Sequence, residues 1–367
     1  MSEPDIQAVN QDFIRYDQVS KRHTYRLAEC DSDEFDDDYE IQTLDFGRYL
    51  NGNARDRQSF AEDFGAAVQE IGFSVLTNHG VDPALYEEIE ERTEALFTST
   101  SMEEKMRFRA RRFGSVSQGY FPIKETSDIH PDLVEGWVWC RRAFDMPQER
   151  SAPFDPQQFW PDVAYEPVMR KLALAHEALF KPVTQAMFQG LGCDPHLYDE
   201  KLTHTNFGLR LNYYPPLGRS DDQSGASRLL GHEDVDLFTI LPASKVSGLQ
   251  VWNHMNQQWV RLDPPPGSLI INTGDYMQRI TNDRLPSTSH RVGKPLDGSQ
   301  RDTARISFPI AVYVRENEIL EVLPGLGEPK YEPIKAITFH TRSTSKFYGD
   351  DYAVESPVNH NEASGRT

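Results

Sequence analysis

The spacing of apolar positions changes character along the chain, and each change marks an element. Residues 1–40 carry few apolar positions and read as a polar extension. Within it, Glu29 to Glu40 holds eight acids in twelve positions and is expected to be a solvated loop. From Ile41 the period shortens: Ile41-Gln-Thr-Leu44-Asp-Phe46 alternates like a strand. Ser59 to Ile71 then places Phe60, Phe64, Ala67, Val68 and Ile71 at helical spacing. Gly72-Phe-Ser-Val-Leu76 follows as a buried strand, closed by Asn78-His79-Gly80. Asp82-Pro83 predicts another helix start, with a capping carboxylate and a ring already at the φ of the first turn.

Residues 113–160 show no sustained period and are expected to be loop-like, whereas Tyr165 to Leu191 is the longest predicted helix. After Gly192 short apolar runs separated by Gly, Pro and Asn turns occur at 207–214, 232–241, 248–252, 258–262, 268–272, 288–292 and 305–314. The pattern predicts a mixed α/β fold of the α+β kind, with a sandwich or jelly-roll barrel behind N-terminal helices. Five segments are expected: the acidic extension 1–40, an N-terminal region 41–160, a supporting helix 161–200, a β core 201–315 and a C-terminal segment 316–367.

Composition narrows the function. The formal charge of −19 argues against a nucleic acid or an anionic membrane surface as partner, since both need a basic face. Cys30, Cys140 and Cys193 are far apart and form no CxxC pair, so neither a disulfide framework nor a thiolate zinc site is supported. The N-terminus lacks the basic and apolar regions of a signal peptide, and no apolar run is long enough for a membrane span, so the cytoplasm is expected.

The stretch with chemistry is Arg228 to Leu241, RLLGHEDVDLFTIL. In an extended strand His232 and Asp234 point to one face, and a His with a carboxylate is two-thirds of a facial iron site. An H-x-D triplet alone is weak, and a second one, His130-Pro-Asp132, is expected to be a surface turn. Further along, Ser287-Thr-Ser-His290 offers a third ligand, otherwise explained as a surface histidine at a strand start. In Arg305-Ile-Ser307-Phe-Pro-Ile-Ala-Val312 the apolar face opposes Arg305 and Ser307; an inward arginine needs an anion, and its planar fork suits a carboxylate. Phe207 to Tyr214 likewise alternates, leaving Arg210, Asn212 and Tyr214 on a polar face.

Together these pieces resemble the isopenicillin N synthase-like branch of the 2-oxoglutarate- and Fe(II)-dependent oxygenases. The matching stretches are Gly72-Phe-Ser-Val-Leu-Thr-Asn78-His-Gly-Val81, Leu209-Arg-Leu-Asn212-Tyr-Tyr214-Pro-Pro, His232-Glu-Asp234, Gly248-Leu-Gln-Val251, Asn272-Thr-Gly-Asp275, His290-Arg-Val292 and Arg305-Ile-Ser307. The resemblance implies a double-stranded β-helix, or jelly roll, flanked by N-terminal helices. It makes His232, Asp234 and His290 the iron ligands. Arg305, Ser307 and Tyr214 would bind the distal carboxylate of 2-oxoglutarate, with Asn212 nearby. The implied reaction is oxidation of a small-molecule C–H bond by Fe(II), 2-oxoglutarate and O2, releasing succinate and CO2, with ascorbate as a candidate reductant. Hydroxylation is favoured over desaturation and ring closure.

Alternatives stay open at this point. Isopenicillin N synthase and the aminocyclopropane carboxylate oxidase look similar and keep R-x-S without using 2-oxoglutarate. A non-catalytic small-molecule binding protein on the same scaffold is the reading of another class. For the substrate, Trp137, Trp139, Arg141 and Arg142 are the candidate pocket residues, their plainer explanation being aromatic core and solvated arginines.

Overall fold

Local capping chemistry defines the first half of the chain. The structure, a computed structural model, describes residues 29, 33–113, 116–123, 132–146, 153–217, 228–295 and 297–348. After β1 (Thr43–Asp45), helix α1 (Ala54–Ile71) starts on a capping box, in which Asn53 and Asp56 each accept from the other's backbone N–H. It stops at Gly72, whose φ of 74° is left-handed. Strand β2 (Phe73–Thr77) follows, and α2 (Pro83–Ser99) opens on Asp82, which accepts from Ala84 N. The long helix α3 (Glu166–Gly190) crosses α1 closely. A Cβ on Gly65 would lie 2.8 Å from Gly190 Cα, and one on Gly190 would lie 2.2 Å from Ala61 O, so both positions need glycine.

The stretch expected to be loop-like contains β4 (Val116–Phe121) and β5 (Glu135–Cys140), which with β3 (Arg111–Phe113) just ahead of them extend the main sheet. They continue into β6 (Phe207–Tyr214), β7 (Leu229–His232), β8 (Phe238–Pro242), β9 (Leu249–Asn253), β10 (Gln258–Leu262), β11 (Leu269–Thr273), β12 (His290–Val292), β13 (Arg305–Ser307) and β14 (Ile310–Val312). The larger sheet runs β1-β2-β11-β8-β14-β6-β5-β4-β3, with β13 also paired to β6, and the smaller runs β10-β9-β12-β7. The run expected at 232–241 therefore divides between sheets: β7 ends at His232 in the smaller one and β8 begins at Phe238 in the larger.

Alternation along β2 and β11 shows how the layers stack. Leu76, Leu269 and Ile271 join the helix-facing core with Phe60, Phe64 and Phe180. Phe73, Val75 and Ile270 point the other way, to Val251 and Val260 of the smaller sheet. This is the jelly-roll arrangement with helices on one outer face. A short helix, α4 (Asp275–Ile280), follows β11, and the described chain ends in α5 (Ala336–Tyr348). No helix among the described residues is long and apolar enough to cross a membrane.

Two further expectations are corrected, the first only in part. In the described part of the acidic segment Glu34, Asp37, Asp38 and Glu40 are exposed, as expected of a solvated loop, but the segment also straps across the smaller sheet. Phe35 bridges to Trp259, Asp37 pairs with Arg261 at 3.0 Å and Asp33 pairs with the fully buried Arg291 at 2.6 Å. Asp132, expected on a surface turn, is buried and accepts from Leu230 N at 3.1 Å, anchoring β7; His130 lies outside the described residues. Of the cysteines, Cys140 and Cys193 are buried free thiols, and Cys30 lies outside the described residues.

Candidate metal centre

Strand register brings two histidines together that the sequence keeps far apart. His232 ends β7 and His290 begins β12, and the antiparallel ladder makes them direct cross-strand partners. Their rings stand 4.4 Å apart between centroids. Asp234 follows β7 by two residues and turns back, placing Oδ1 3.7 Å from His232 Nε2 and 3.9 Å from His290 Nε2. All three ligand atoms lie within 4.8 Å of one another, a spacing that a single metal ion could bridge.

Each side chain is oriented from behind. His232 Nδ1 meets Leu230 O at 2.8 Å and His290 Nδ1 meets Thr288 O at 3.2 Å. A hydrogen on each Nδ1 donates to those carbonyls and leaves the Nε2 lone pairs facing the common point. Asp234 Oδ2 accepts from Thr239 Oγ1 at 2.7 Å and Asn272 Nδ2 at 2.8 Å, which frees Oδ1. Burial, then the neighbouring His290, pushes His232 down to about 4, so the ring is neutral and ready to ligate at neutral pH. Burial opposes ionisation of Asp234, but His290, His232 and the two hydrogen bonds hold its carboxyl below the usual range.

Asp236 lies behind this group, fully buried, 2.8 Å from Thr239 Oγ1. Burial and the Asp234 charge push it well above the ordinary carboxylate range. Thr239 has one hydroxyl hydrogen, so a protonated Asp236 donating to Thr239, which donates on to Asp234, accounts for both short contacts, while Asp236 Oδ1 has no partner. The stretch Asn272-Thr-Gly-Asp275 completes the support: Asp275 N donates to Asp234 O at 2.8 Å and Tyr276 N to Asp236 O at 2.9 Å.

The same cross-strand logic builds a second polar cluster beside the three candidate ligands. On β13 and β6, Arg305 is opposite Tyr214 and Ser307 is opposite Asn212, two rungs apart on one face. Asn212 Nδ2 donates to Ser307 Oγ at 3.3 Å. Arg305 is 3% exposed, its guanidinium 5.0 Å from the Tyr214 ring centre, and its Nε and Nη1 have no hydrogen-bond partner. A buried guanidinium with unused donors fits a carboxylate.

All seven of these residues, His232, Asp234, His290, Asn212, Tyr214, Arg305 and Ser307, line one cavity of about 250 Å³. Its remaining wall is largely apolar, with Phe73, Val116, Phe121, Val138 and Leu241. Trp137, Trp139, Arg141 and Arg142 are not among the lining residues. Val138 faces the cavity, so its neighbours Trp137 and Trp139 face away, where Trp139 stacks on Trp160 at 4.1 Å. Arg141 is buried against Glu177 and His204, and Arg142 lies over the Phe159 ring. Sequence reasoning missed His340 and Thr344, which the amphipathic helix α5 brings to the cavity wall.

Comparison with known proteins gives the family and the fold. A family model of the 2OG-Fe(II) oxygenase superfamily matches residues 205–312, and the N-terminal model of the non-haem dioxygenases in morphine synthesis matches 41–163. The Arabidopsis thaliana 1-aminocyclopropane-1-carboxylate oxidase homolog 5 is 31% identical over 316 residues, 82% of this chain and 72% of that one. The 2-oxoglutarate-Fe(II) type oxidoreductase ppzC of Metarhizium majus is 27% identical over 338 residues, 84% of this chain and 88% of that one. A full-length Neurospora crassa protein, solved in complex with alpha-KG and thymine, shares the fold with a TM-score of 0.73 at 23% identity, covering 83% of this chain and 96% of that one.

Proposed function

Because the chain belongs to the 2-oxoglutarate- and Fe(II)-dependent oxygenase superfamily, we propose that His232, Asp234 and His290 hold its iron and that Arg305, Ser307, Tyr214 and Asn212 receive 2-oxoglutarate. The protein is an oxidoreductase of the 2-oxoglutarate-dependent dioxygenase type. The observation that carries the residue assignment is the convergence of two Nε2 atoms and one Oδ1 beside the Arg305 guanidinium, whose Nε and Nη1 have no hydrogen-bond partner. When bound, Fe(II) with 2-oxoglutarate and O2 supplies the oxidising power, and succinate and CO2 leave.

The chain's own groups do the positioning. Two neutral imidazoles and one carboxylate would leave a bound divalent ion singly positive, which would favour an anionic cosubstrate beside it. Arg305 takes the far end of that anion, and the Ser307 and Tyr214 hydroxyls add donors at the same end. The apolar walls around Phe73, Val138 and Leu241 exclude water from the reacting C–H bond.

The substrate on this reading is a small molecule with an acidic group. The cavity is small, and Arg210 reaches it with only the Asn212 side chain as hydrogen-bond partner among the described residues, at 2.8 Å. Its guanidinium lies 5.9 Å from the Phe121 ring centre, so a planar anion on Arg210 would leave the rest of the molecule against apolar wall.

The test is anaerobic addition of Fe(II), then 2-oxoglutarate, while following the visible metal-to-keto-acid charge-transfer band. Wild type should show the band, His232→Ala should lose it, and Arg305→Ala should need far more 2-oxoglutarate. Bound iron without a band would sink the cosubstrate assignment, and undiminished iron binding in His232→Ala would sink the ligand set.

A further inference from the structure

Arg291 follows His290 directly and is fully buried, yet it points away from the cavity that His290 and Val292 line. Its guanidinium is held on three sides. Nε donates to Gln250 Oε1 at 2.7 Å, Nη2 donates to Asp33 Oδ2 at 2.6 Å, and the central carbon lies 3.9 Å from the Trp259 ring centre. Gln250 belongs to the same sheet, on β9 directly opposite Arg291, whereas Asp33 comes from the N-terminal strap. The strap also holds the residues that follow. Glu29 Oε2 accepts from Lys294 N at 2.5 Å, and a Cβ on Gly293 would lie 2.1 Å from that same oxygen.

Strand β12 needs such a hold. It has three residues and lies between β9 and β7. Its pairing with β9 is regular, but against β7 the register shifts: His290 faces His232 and Val292 faces Leu229, so Arg291 alone stands opposite two residues. A bulge of this kind disrupts the ladder locally. His290 is also the more loosely tethered of the two rings, with Nδ1 3.2 Å from Thr288 O against 2.8 Å between His232 Nδ1 and Leu230 O. Where its Nε2 points therefore depends on where β12 lies. Removing one partner of a buried ion pair leaves the other charge uncompensated, so without Asp33 the arginine is driven toward water and β12 moves with it.

We propose that Asp33 is a positioning residue of the candidate metal centre: through Arg291 it fixes β12 at its bulge and so sets His290 Nε2 on the point shared with His232 and Asp234. The proposal rests on the reading of those three residues as metal ligands. Because coupling between two sites is reciprocal, the N-terminal strap and a bound metal then stabilise each other.

The test uses the full chain and Mn(II), with affinity read by calorimetry. The strap is followed by hydrogen exchange at the Asp36 amide, which donates to Trp259 O at 3.0 Å. Asp33→Asn keeps the shape and removes the charge; it should weaken Mn(II) binding about 3- to 30-fold, and Asp33→Glu should recover part of the loss. Asp37→Ala, which breaks the exposed pair with Arg261 on the same strap, should leave Mn(II) affinity at the wild-type value. In wild type, saturating Mn(II) should slow exchange at Asp36. Wild-type Mn(II) affinity in Asp33→Asn overturns the proposal, and so does an equal loss in Asp33→Asn and Asp37→Ala, which marks general loosening of the strap. Exchange at Asp36 that Mn(II) leaves unchanged also overturns it, and this measurement decides the matter even if Asp33→Asn does not fold. Undiminished Mn(II) binding in His290→Ala fails differently, since it removes the ligand assignment on which Asp33 depends.

Discussion

Gly274→Ala tests whether the support behind Asp234 is as tight as the geometry requires. Gly274 has φ −106° and ψ −176°, open to any residue, so the obstacle is contact and not backbone strain. A Cβ there would lie 2.1 Å from Asp236 Oδ1, 2.6 Å from Asp236 O and 2.8 Å from Asp234 O. The Asp236 carboxyl can turn away, but the two carbonyls are fixed by hydrogen bonds from Tyr276 N at 2.9 Å and Asp275 N at 2.8 Å. To reach ordinary contact at 3.4 Å they must retreat by about 0.8 Å and 0.6 Å, carrying the Asp234 backbone with them. Overpacking of this kind costs about 1–3 kcal/mol of stability. Disturbing the residues that orient a ligand costs about 10- to 100-fold in metal affinity. Denaturant unfolding of the metal-free protein and Fe(II) titration measure the two effects separately. Gly298→Ala is the control, because nothing lies within 4 Å of a Cβ there. Wild-type unfolding and wild-type Fe(II) affinity in Gly274→Ala would refute the reasoning.

Two further outcomes follow from buried charge. His176 on α3 is fully buried, 3.2 Å from the Tyr86 hydroxyl, and burial, then His79, pushes it down to about 3. The unfolded chain, with an ordinary histidine, takes up a proton between that value and about 6.5 that the folded chain refuses, so stability falls as the pH is lowered through this window. His176→Gln should reduce that slope by about 1.4 kcal/mol per pH unit around pH 5, and equal slopes in the two proteins would show that His176 titrates normally. Arg210→Ala should cost acidic substrates about tenfold or more in kcat/KM, measured as substrate-stimulated oxygen uptake at saturating 2-oxoglutarate, and leave neutral ones unaffected. A raised requirement for 2-oxoglutarate in that variant would instead place Arg210 with the cosubstrate.

The parts of the site that could be read from the chain are those whose residues share a strand face. Arg305 with Ser307, and Asn212 with Tyr214, are i and i+2 pairs, and alternation alone set each pair on one side; the ladder between β13 and β6 then aligned them. His232 and Asp234 were expected to share a face for the same reason. In the fold only His232 is in the strand, and Asp234 reaches the common point by the turn that leads into β8. What stayed hidden depended on partners remote in sequence. The acids of the N-terminal strap look solvated because their cations are far away: Asp33 and Arg291 are 258 positions apart. Strand β5 showed no period because Gly136 through Cys140 are buried on both faces, while β4 and β6 flank its edges.

The candidate substrate residues lie off the cavity for a reason that is itself legible once β5 is known to be a strand. Trp137 and Trp139 differ by two, so they share a face, and Val138 must take the other. A tryptophan stack with Trp160 fills the helix side, and the smaller valine is left to the cavity beside Gly208 and Phe121. Cavity volume at the candidate metal centre is thus kept by turning small side chains inward and bulky ones toward the core. Arg210 fits the same rule, since its partner on β5 is Val138, and the pair sets a cation against an apolar wall. The residues that choose a substrate here are therefore to be sought at the inward positions of β5 and β6, together with His340 and Thr344 of α5, and not among the most conspicuous aromatics of the sequence.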